Sequence, residues 1–253
     1  MALAQLGFFS SLLGKQMGAT LILPDRGEGP FACLYLLHGL SDDHTIWLRR
    51  TRIEVYAGGY PLVVVMPDGL RGFYTDHESG PAYGRYIAEE VPGVVERHFR
   101  VSGERGHRCI GGLSMGGYGA LRTALAYPER YISAHSHSGA FITQMPRSSV
   151  LRPEEQEAIF GQKRGQAPHD VACLAREVFK GPGPYPKLRF DCGRDDHQLE
   201  SNRLLHAQLD SAGVPHEYEE HAGAHTWDYW DLHIRSALAW HAQAMGLGPQ
   251  GSA

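Results

Sequence analysis

The segment RCIGGLSMGGYGALRTALAY, residues 108–127, decides the fold. It begins with a short apolar run at Arg108–Ile110, passes through Gly112-Leu-Ser-Met-Gly116, and continues into a helical stretch over Gly116–Tyr127. A strand, a glycine-flanked serine and a helix of small residues together make the nucleophile elbow, a sharp turn that exposes the serine oxygen. The segment therefore predicts that Ser114 is a nucleophile; a glycine-rich turn that only packs a helix on a sheet is the alternative.

Short apolar runs alternate with longer helical patterns on both sides of this segment. Strands are predicted at Thr20–Leu23, Cys33–Leu37, Leu62–Met66, Arg108–Ile110, Ile132–His135, Leu188–Cys192 and His216–Glu219. Helices are predicted at Ala82–Phe99, with a kink or a new start at Pro92, and at Gly116–Tyr127, Leu199–Leu209 and Trp227–Met245. The alternation predicts an α/β fold with a mostly parallel sheet covered by helices on both faces.

The length of 253 residues suits one domain over 1–253. The polar stretch 143–186 interrupts the alternation, and we expect a lid-like insertion there with helices near 154–160 and 169–179; a peripheral flap without a role is the alternative. The tail 246–253 is expected to be disordered.

Composition excludes several functional classes. The formal charge is −4 without a basic stripe, which argues against nucleic-acid binding. No apolar stretch reaches 18 residues, so a membrane span is not expected. The four cysteines include no CxxC pair, and no basic residue precedes the mildly apolar N-terminal stretch, which together predict a cytoplasmic protein. A homo-oligomer is compatible with the sequence.

A serine hydroxyl needs a base, and after a nucleophile elbow the triad order is serine, acid, histidine. His225 follows the last predicted strand and precedes the last helix, so it is placed to reach Ser114; His221 is the alternative. The acid is expected in the turn after the sixth predicted strand, where spacing does not choose among three carboxylates: Asp191, Asp195 and Asp196.

The oxyanion of a tetrahedral intermediate needs two hydrogen-bond donors. We expect the amides of Met115, directly after the nucleophile, and of Leu40, in the loop after Cys33–Leu37. His221 and His225 have an HxxxH spacing, but Gly223 between them disfavours a helix and no third ligand is evident. The sequence therefore predicts no metal and no cofactor.

These residues, taken together, make the chain resemble the "Putative esterase" family of α/β-hydrolases. This family includes tributyrin esterases, esterase D (S-formylglutathione hydrolase), feruloyl and acetyl-xylan esterases, and antigen 85 mycolyltransferases. The matching segments are Leu36-Leu-His-Gly-Leu40, Trp47-Leu-Arg-Arg-Thr51, Val65-Met-Pro-Asp-Gly69, Glu89-Glu-Val-Pro92, Gly112-Leu-Ser-Met-Gly-Gly-Tyr-Gly119, Ser138-Gly139, Gly193-Arg-Asp-Asp196 and His225-Thr-Trp-Asp-Tyr-Trp230. The tributyrin-esterase branch is the most similar. The resemblance implies an α/β-hydrolase fold, with the acid at Asp196, the base at His225 and oxyanion donors at Leu40 and Met115.

The resemblance implies a serine carboxylesterase that hydrolyses short-chain acyl esters, with a small-molecule ester as its partner. Alternatives are a carbohydrate esterase of the acetyl-xylan or feruloyl type and a thioesterase like S-formylglutathione hydrolase. The latter enzymes carry a cysteine shortly after the oxyanion Gly-Leu pair, where this chain has Ser41-Asp-Asp43. A catalytically silent binding protein is the non-enzymatic alternative. Three aromatic residues are candidates to line the acyl pocket, with packing in the core or lid as the alternative: Trp47, Tyr74 and Trp227.

Overall fold

The computed structural model describes residues 1–141, 151–163 and 165–249. In these ranges eight strands form one sheet: β1 (Ala2–Ser10), β2 (Lys15–Leu23), β3 (Ala32–Leu37), β4 (Leu62–Pro67), β5 (Arg108–Leu113), β6 (Ser133–His137), β7 (Lys187–Gly193) and β8 (Glu217–His221). Their order is β1-β2-β4-β3-β5-β6-β7-β8. Strands β3 to β8 pair in parallel, whereas β2 pairs antiparallel with both β1 and β4. All seven predicted strands are present, and the mostly parallel sheet is confirmed.

Helices fill the intervals between the strands. The described residues contain α1 (Ile46–Arg50), α2 (Ile53–Ala57), α3 (Tyr83–Arg85), α4 (Val91–His98), α5 (Met115–Ala126), α6 (Pro153–Phe160), α7 (Val171–Val178), α8 (Leu199–Ser211) and α9 (Trp227–Ala244). A single π-helical turn, Tyr86–Glu90, joins α3 to α4. Pro92 lies just after this turn, and the backbone of Glu90 and Val91 stays helical. The irregularity predicted at Pro92, a kink or a new start, is therefore a change in the helix type just before it.

The central strands β3, β4, β5 and β6 are buried on both faces. This burial explains the continuous apolar runs of β3 and β4. Tyr35 of β3 and Val65 of β4 point to a core shared with α4, α5, α7 and α8. Their chain neighbours Leu36 and Val64 point to the opposite core, which α1, α2 and α9 cover. Alternate side chains of one strand therefore reach opposite layers, as the pleat requires.

The interval 143–186 has two structured parts. One face of helix α7 is buried beside α5, with Ala172 and Ala175 fully enclosed, whereas Arg176 and Glu177 are exposed. Helix α6 is exposed along one side and contacts the loop after β4 through Glu155 and Arg71. Residues 142–150 and 164, which belong to the predicted lid, lie outside the described residues.

Segments near both chain ends are ordered in the described residues. The N-terminal stretch is β1, which pairs along its whole length with β2. Gly246 and Leu247, predicted to begin a disordered tail, close the last turn of α9 through hydrogen bonds to Gln243 and Ala242; residues 250–253 lie outside the described ranges. None of the described helices has the length and apolar character needed to cross a membrane.

Candidate active site

Ser114 occupies the turn between β5 and α5 with φ 53° and ψ −118°, a backbone conformation that non-glycine residues rarely adopt. The turn is tight enough to require glycine on both sides. A Cβ on Gly112 would lie 2.6 Å from the Gly116 carbonyl carbon, and a Cβ on Gly116 would lie 2.5 Å from the Leu37 oxygen. The GxSxG spacing is therefore a steric requirement of this elbow.

The same close approach brings the N-terminus of α5 against the loop that follows β3. Met115 is the first residue of α5, so its amide has no acceptor within the helix. Leu40 lies in the facing loop, and no hydrogen bond joins its amide to another of the described residues. These are the two amides predicted to hold the oxyanion, and both border the strained serine turn.

Side-chain hydrogen bonds fix the Leu40 loop from several directions. Trp47 Nε1 donates to the Leu37 carbonyl at 3.1 Å, and the Tyr74 hydroxyl donates to the His38 carbonyl at 3.1 Å. The buried His38 ring donates from Nδ1 to the Gly39 carbonyl at 2.7 Å, and its Nε2 accepts the Gly69 amide at 2.9 Å. The imidazole is therefore held as the Nδ1–H tautomer, since one nitrogen must donate and the other accept.

Trp47 and Tyr74 lie in the core. Their position agrees with the alternative expectation, packing, rather than with the predicted lining of the acyl pocket. Trp47 is 1% exposed and Tyr74 is fully buried. Trp227 is half-buried and packs edge-to-face on Trp47, with ring centroids 5.5 Å apart, and on Trp230 at 5.0 Å. Sequence reasoning did not anticipate that the polar atoms of Trp47 and Tyr74 hold backbone carbonyls of the predicted oxyanion loop.

Asp196 and His225 meet at the carboxyl ends of β7 and β8. His225 Nδ1 lies 2.9 and 3.0 Å from the two carboxylate oxygens of Asp196, whose side chain is fully buried. Burial alone would raise the pKa of Asp196, but hydrogen bonds from His225, the Gln198 amide and Ser138 hold that pKa below its ordinary value. Asp195 is exposed.

Backbone contacts between two loops bring this pair together. The Arg194 amide donates to the His221 carbonyl at 2.8 Å, and the Asp195 amide donates to the Gly223 carbonyl at 2.9 Å. A Cβ on Gly193 would lie 2.3 Å from the Gly223 oxygen, so the close approach needs a residue without a side chain. His221, the alternative base, instead lies 3.1 Å from Glu219, two residues earlier on β8.

Ser138 and Trp230 support Asp196 from behind. The Trp230 indole N–H donates to Ser138 Oγ at 3.2 Å, and the Ser138 hydroxyl contributes to the lowered pKa of Asp196. Ser138 has φ 51°, a second strained residue one strand away from Ser114. The sequence showed Ser138-Gly139 only as part of a family resemblance, and nothing in its spacing indicated this contact.

Asp191, the third carboxylate considered as the acid, has a structural role. It is buried and accepts hydrogen bonds from His137 Nδ1 and the Tyr229 hydroxyl, both at 2.7 Å. Burial opposes its charge, but these partners hold the pKa of Asp191 below the ordinary value. Because each of its oxygens accepts one of these hydrogen bonds, Asp191 links β7 both to β6 and to α9.

A cavity of about 510 Å³ opens beside the Leu40 loop. Its apolar wall comes from Leu40, Leu70, Pro81, Tyr83, Ala158 and Ile159. Asp42 is half-buried at its edge, and burial raises the pKa of this carboxyl. Arg71 and Glu155 also line it and form a two-pronged ion pair, with N–O distances of 2.9 and 3.1 Å. The cavity has the size and lining of a small-ligand pocket.

Two clusters in the described part of the chain have metal-ligand composition. One combines His197 with Asp196 and His225. The other, His206, Asp210 and His216, lies at the far end of α8 and β8. His221 belongs to neither, so the HxxxH spacing in the sequence does not form a metal-binding pair among these residues.

Relatives of known type match this chain over nearly all of its length. The profile of the family described as "Putative esterase" matches residues 10–241. An acetyl esterase of Caldicellulosiruptor saccharolyticus is 32% identical, over 95% of this chain and 98% of the relative. Two solved Staphylococcus aureus structures have similar folds. One, a substrate-bound fluorophosphonate-binding serine hydrolase (FphF), has a TM-score of 0.85 at 31% identity. The other, an S-formylglutathione hydrolase (FrmB), has 0.84 at 32%; each covers 95% of this chain and 98% of the solved chain.

Proposed function

We propose that this chain, which belongs to the "Putative esterase" family of α/β-hydrolases, hydrolyses short-chain acyl esters through an acyl-enzyme on Ser114. The chain is a carboxylic ester hydrolase of the serine type. One observation carries the assignment of residues to roles: His225 Nδ1 contacts both oxygens of buried Asp196, at the sheet edge where Ser114 occupies its strained turn.

The geometry supports a separate catalytic role for each of three side chains, those of Ser114, Asp196 and His225. Because Asp196 engages Nδ1 of His225, Nε2 is the nitrogen left to take the Ser114 proton. Ser114 Oγ then bonds to the ester carbonyl carbon, and the carbonyl oxygen becomes an oxyanion held by the Leu40 and Met115 amides. His225 returns the proton to the leaving alcohol. Water then attacks the acyl-enzyme by the same steps in reverse, which releases the acid and restores Ser114.

The short acyl group is proposed to enter the cavity beside the Leu40 loop. The cavity of about 510 Å³ reaches the predicted oxyanion donor Leu40, and α6 closes its other side with Ala158 and Ile159. Asp42 and Glu155 place two carboxylates at this cavity against one guanidinium, Arg71, which favours an uncharged ester over an anionic one. The similarity to a relative named acetyl esterase points the same way.

A thioesterase is the second candidate, favoured by the 32% identity to a solved chain named S-formylglutathione hydrolase. The position of Asp42 weighs against it, because glutathione conjugates carry carboxylates that this side chain would repel. We also propose a cytoplasmic location, supported by four cysteine thiols that are all unpaired: Cys33, Cys109, Cys173 and Cys192.

The test is hydrolysis of p-nitrophenyl esters from acetate to decanoate by the wild type, Ser114→Ala and Ser236→Ala. Ser236 is an exposed serine of α9 and serves as the matched control. We expect kcat/KM to favour the shortest chains, to fall at least about 10³-fold in Ser114→Ala and to stay unchanged in Ser236→Ala. Activity retained in folded Ser114→Ala would refute the nucleophile, and a maximum at decanoate would refute the short acyl group. S-formylglutathione turned over faster than p-nitrophenyl acetate would favour the thioesterase.

A further inference from the structure

The two elements next to Asp196 and His225 come together again at their far ends. Asp196 lies three residues before α8, and His225 lies four residues after β8. At the opposite end of both elements, α8 finishes and the chain turns through Gly213 into His216, the residue before β8. This second contact between α8 and β8 lies roughly 15 Å along the strand from the carboxyl end of β8, near which Asp196 and His225 meet. Its side chains are not used by the proposed reaction.

Three side chains with metal-binding atoms converge at this point. His206 and Asp210 are one turn apart on α8, with His206 Nε2 3.4 Å from an Asp210 oxygen. His216 Nε2 lies 2.8 Å from His206 Nδ1 and 3.8 Å from the other Asp210 oxygen. These distances involve both nitrogens of His206, of which a metal ion would bind one. With one ligand atom per residue, the three atoms lie within 4.8 Å of one another. Ligand atoms of a tetrahedral zinc site with bonds of about 2.0 Å lie roughly 3.3 Å apart.

His216 is oriented as a metal ligand is. Its Nδ1 donates to the Val214 carbonyl at 2.7 Å, so Nε2 carries the lone pair and accepts a hydrogen bond from His206 Nδ1 at 2.8 Å. A zinc ion would bind this lone pair in place of the His206 proton. An outer hydrogen bond from the other ring nitrogen to a carbonyl is the arrangement that fixes metal-ligating histidines. The ring is also stacked on Phe190 with centroids 5.5 Å apart, and the side chain is 3% exposed.

The surroundings favour a cation. The carbonyl end of a helix is electronegative, and the last turn of α8 contains no Lys or Arg. The His206 ring is held against Tyr218 at 4.7 Å, and Asp210 is exposed, so water can complete the coordination from the open side. Two imidazoles and one carboxylate suit Zn²⁺ better than Mg²⁺ or Ca²⁺, which prefer oxygen ligands.

We propose that His206, Asp210 and His216 form a zinc site that fastens the C-terminal end of α8 to the start of β8. Strand β8 is one of the two edge strands of the sheet, and among the described residues it pairs only with β7. A metal at its start crosslinks it to α8. The site stabilises the fold at the far ends of the two elements that position Asp196 and His225, and it does not contact the ester.

The experiment is calorimetric titration of the chelator-treated full chain with zinc chloride, together with thermal unfolding with and without zinc. The variants are Asp210→Asn, His216→Gln and, as the matched control, His197→Gln. His197 belongs to the other described cluster, so its variant removes a ligand from that cluster and leaves the proposed site intact. Asp210 is exposed, and Asp210→Asn therefore tests the site even if His216→Gln fails to fold.

We expect one zinc ion per chain in the wild type and in His197→Gln. Zinc at a hundredfold excess over Kd should raise Tm by on the order of 5 °C. Asp210→Asn and His216→Gln should weaken zinc binding by at least about tenfold, since even loss of an outer partner has that effect, and should lose the Tm shift. Equal zinc affinity in Asp210→Asn and the wild type, loss of binding only in His197→Gln, or no zinc binding by the wild type would each overturn the proposal.

Discussion

Tyr74 and Trp47 hold the two carbonyl groups that precede Gly39, and each does so with its only polar atom. A carbonyl that is fixed in this way also fixes the plane of the next amide, because the peptide unit is rigid. The orientation of the Gly39–Leu40 backbone therefore depends on aromatic side chains that the substrate does not need to touch. Both rings are large and fully enclosed, so their positions are well determined by packing.

We expect Tyr74→Phe to lower kcat by about fivefold, because one net hydrogen bond of about 1 kcal/mol holds the His38 carbonyl. If the loop matters only when the oxyanion forms, kcat and kcat/KM should fall together while KM changes little. Steady-state kinetics on p-nitrophenyl acetate, well below the Tm of the variant, measures this split.

Tyr56→Phe is the matched control, since its hydroxyl hydrogen-bonds to Asp231 on α9, away from the Leu40 loop. It should leave both kinetic constants near the wild type. A Tyr74→Phe enzyme with unchanged kcat would show that the Leu40 loop keeps its geometry without this hydroxyl. A higher KM at constant kcat would instead indicate that Tyr74 supports substrate binding.

Helix α6 meets the body of the protein through Arg71 and Glu155. Two nitrogens of Arg71 lie 2.9 and 3.1 Å from the two Glu155 oxygens. Hydrogen bonds from Arg71 and Arg152 lower the pKa of Glu155 to about 2, so the pair stays charged at every assay pH above 4. The pair ties the helix that carries Ala158 and Ile159 to the loop after β4, across the cavity.

Glu155→Gln should raise KM by up to about fivefold with little change in kcat, because an exposed ion pair contributes at most about 1 kcal/mol. Added salt should produce part of the same rise in the wild type, since it screens exposed charges. Glu200→Gln, which breaks the exposed pair with Arg203 on α8, is the matched control and should leave KM unchanged. Identical KM values for both variants would show that the cavity wall does not depend on the Arg71 contact.

Elements with a strong periodic pattern were predictable, and weak ones were not. The central strands β3 and β4 carry unbroken apolar runs, and all seven expected strands are present. The N-terminal strand β1 lies at the sheet edge with mostly exposed or half-buried side chains, so it lacks such a run and its pairing with β2 was not foreseen. Helices α1 and α2 have five residues each, too few to show a helical period.

The residues of the proposed site were likewise predictable only where they leave a local pattern in the sequence. Ser114 and the Leu40 loop are visible because their glycines are local steric requirements, and local requirements leave a spacing in the sequence. The choice between Asp195 and Asp196 depends on which side chain the fold buries, and from the residues alone it stayed open. Ser138 and Trp230 are in contact although they are 92 positions apart in the chain. No local sequence pattern indicates such a contact.

The whole molecule also contains buried histidines that no proposed catalytic step uses. Ser133, His241 and His135 form a chain of two hydrogen bonds, each 2.7 Å long, between β6 and α9. Burial lowers the pKa of His241 to about 3 and holds the pKa of His135 well below its ordinary value. Both rings are therefore neutral in the folded protein throughout the neutral and mildly acidic range.

These histidines make the folded state sensitive to acid. In the unfolded chain they take up protons near pH 6.5, whereas in the folded chain they do so only far lower. Between those values the unfolded state binds more protons, so stability is fully present above pH 6.5 and decreases as pH falls. Each of the two should reduce the free energy of unfolding by about 1 kcal/mol per pH unit in this window.

Carboxylates with lowered pKa values change the stability in a lower pH range, so their contribution can be separated from that of the histidines. The pKa of Asp191 and of Asp196 lies below the ordinary value in the folded chain, so their contribution is lost only as pH falls below about 4. Urea unfolding measured between pH 7.5 and 4.5 therefore reports mainly on histidines. The wild type should lose stability steadily over this interval once pH drops below 6.5.

His241→Gln tests the assignment, because glutamine can keep a hydrogen bond to Ser133 but does not titrate. The variant should be less stable than the wild type at pH 7.5, since it disturbs a packed core, yet its stability should fall less steeply with acid, by about 1 kcal/mol per pH unit. His98→Gln, at an exposed position on α4, should keep the wild-type slope. If His241→Gln and the wild type lose stability in parallel down to pH 4.5, the acid sensitivity arises elsewhere, and the buried imidazoles must accept protons without unfolding the sheet.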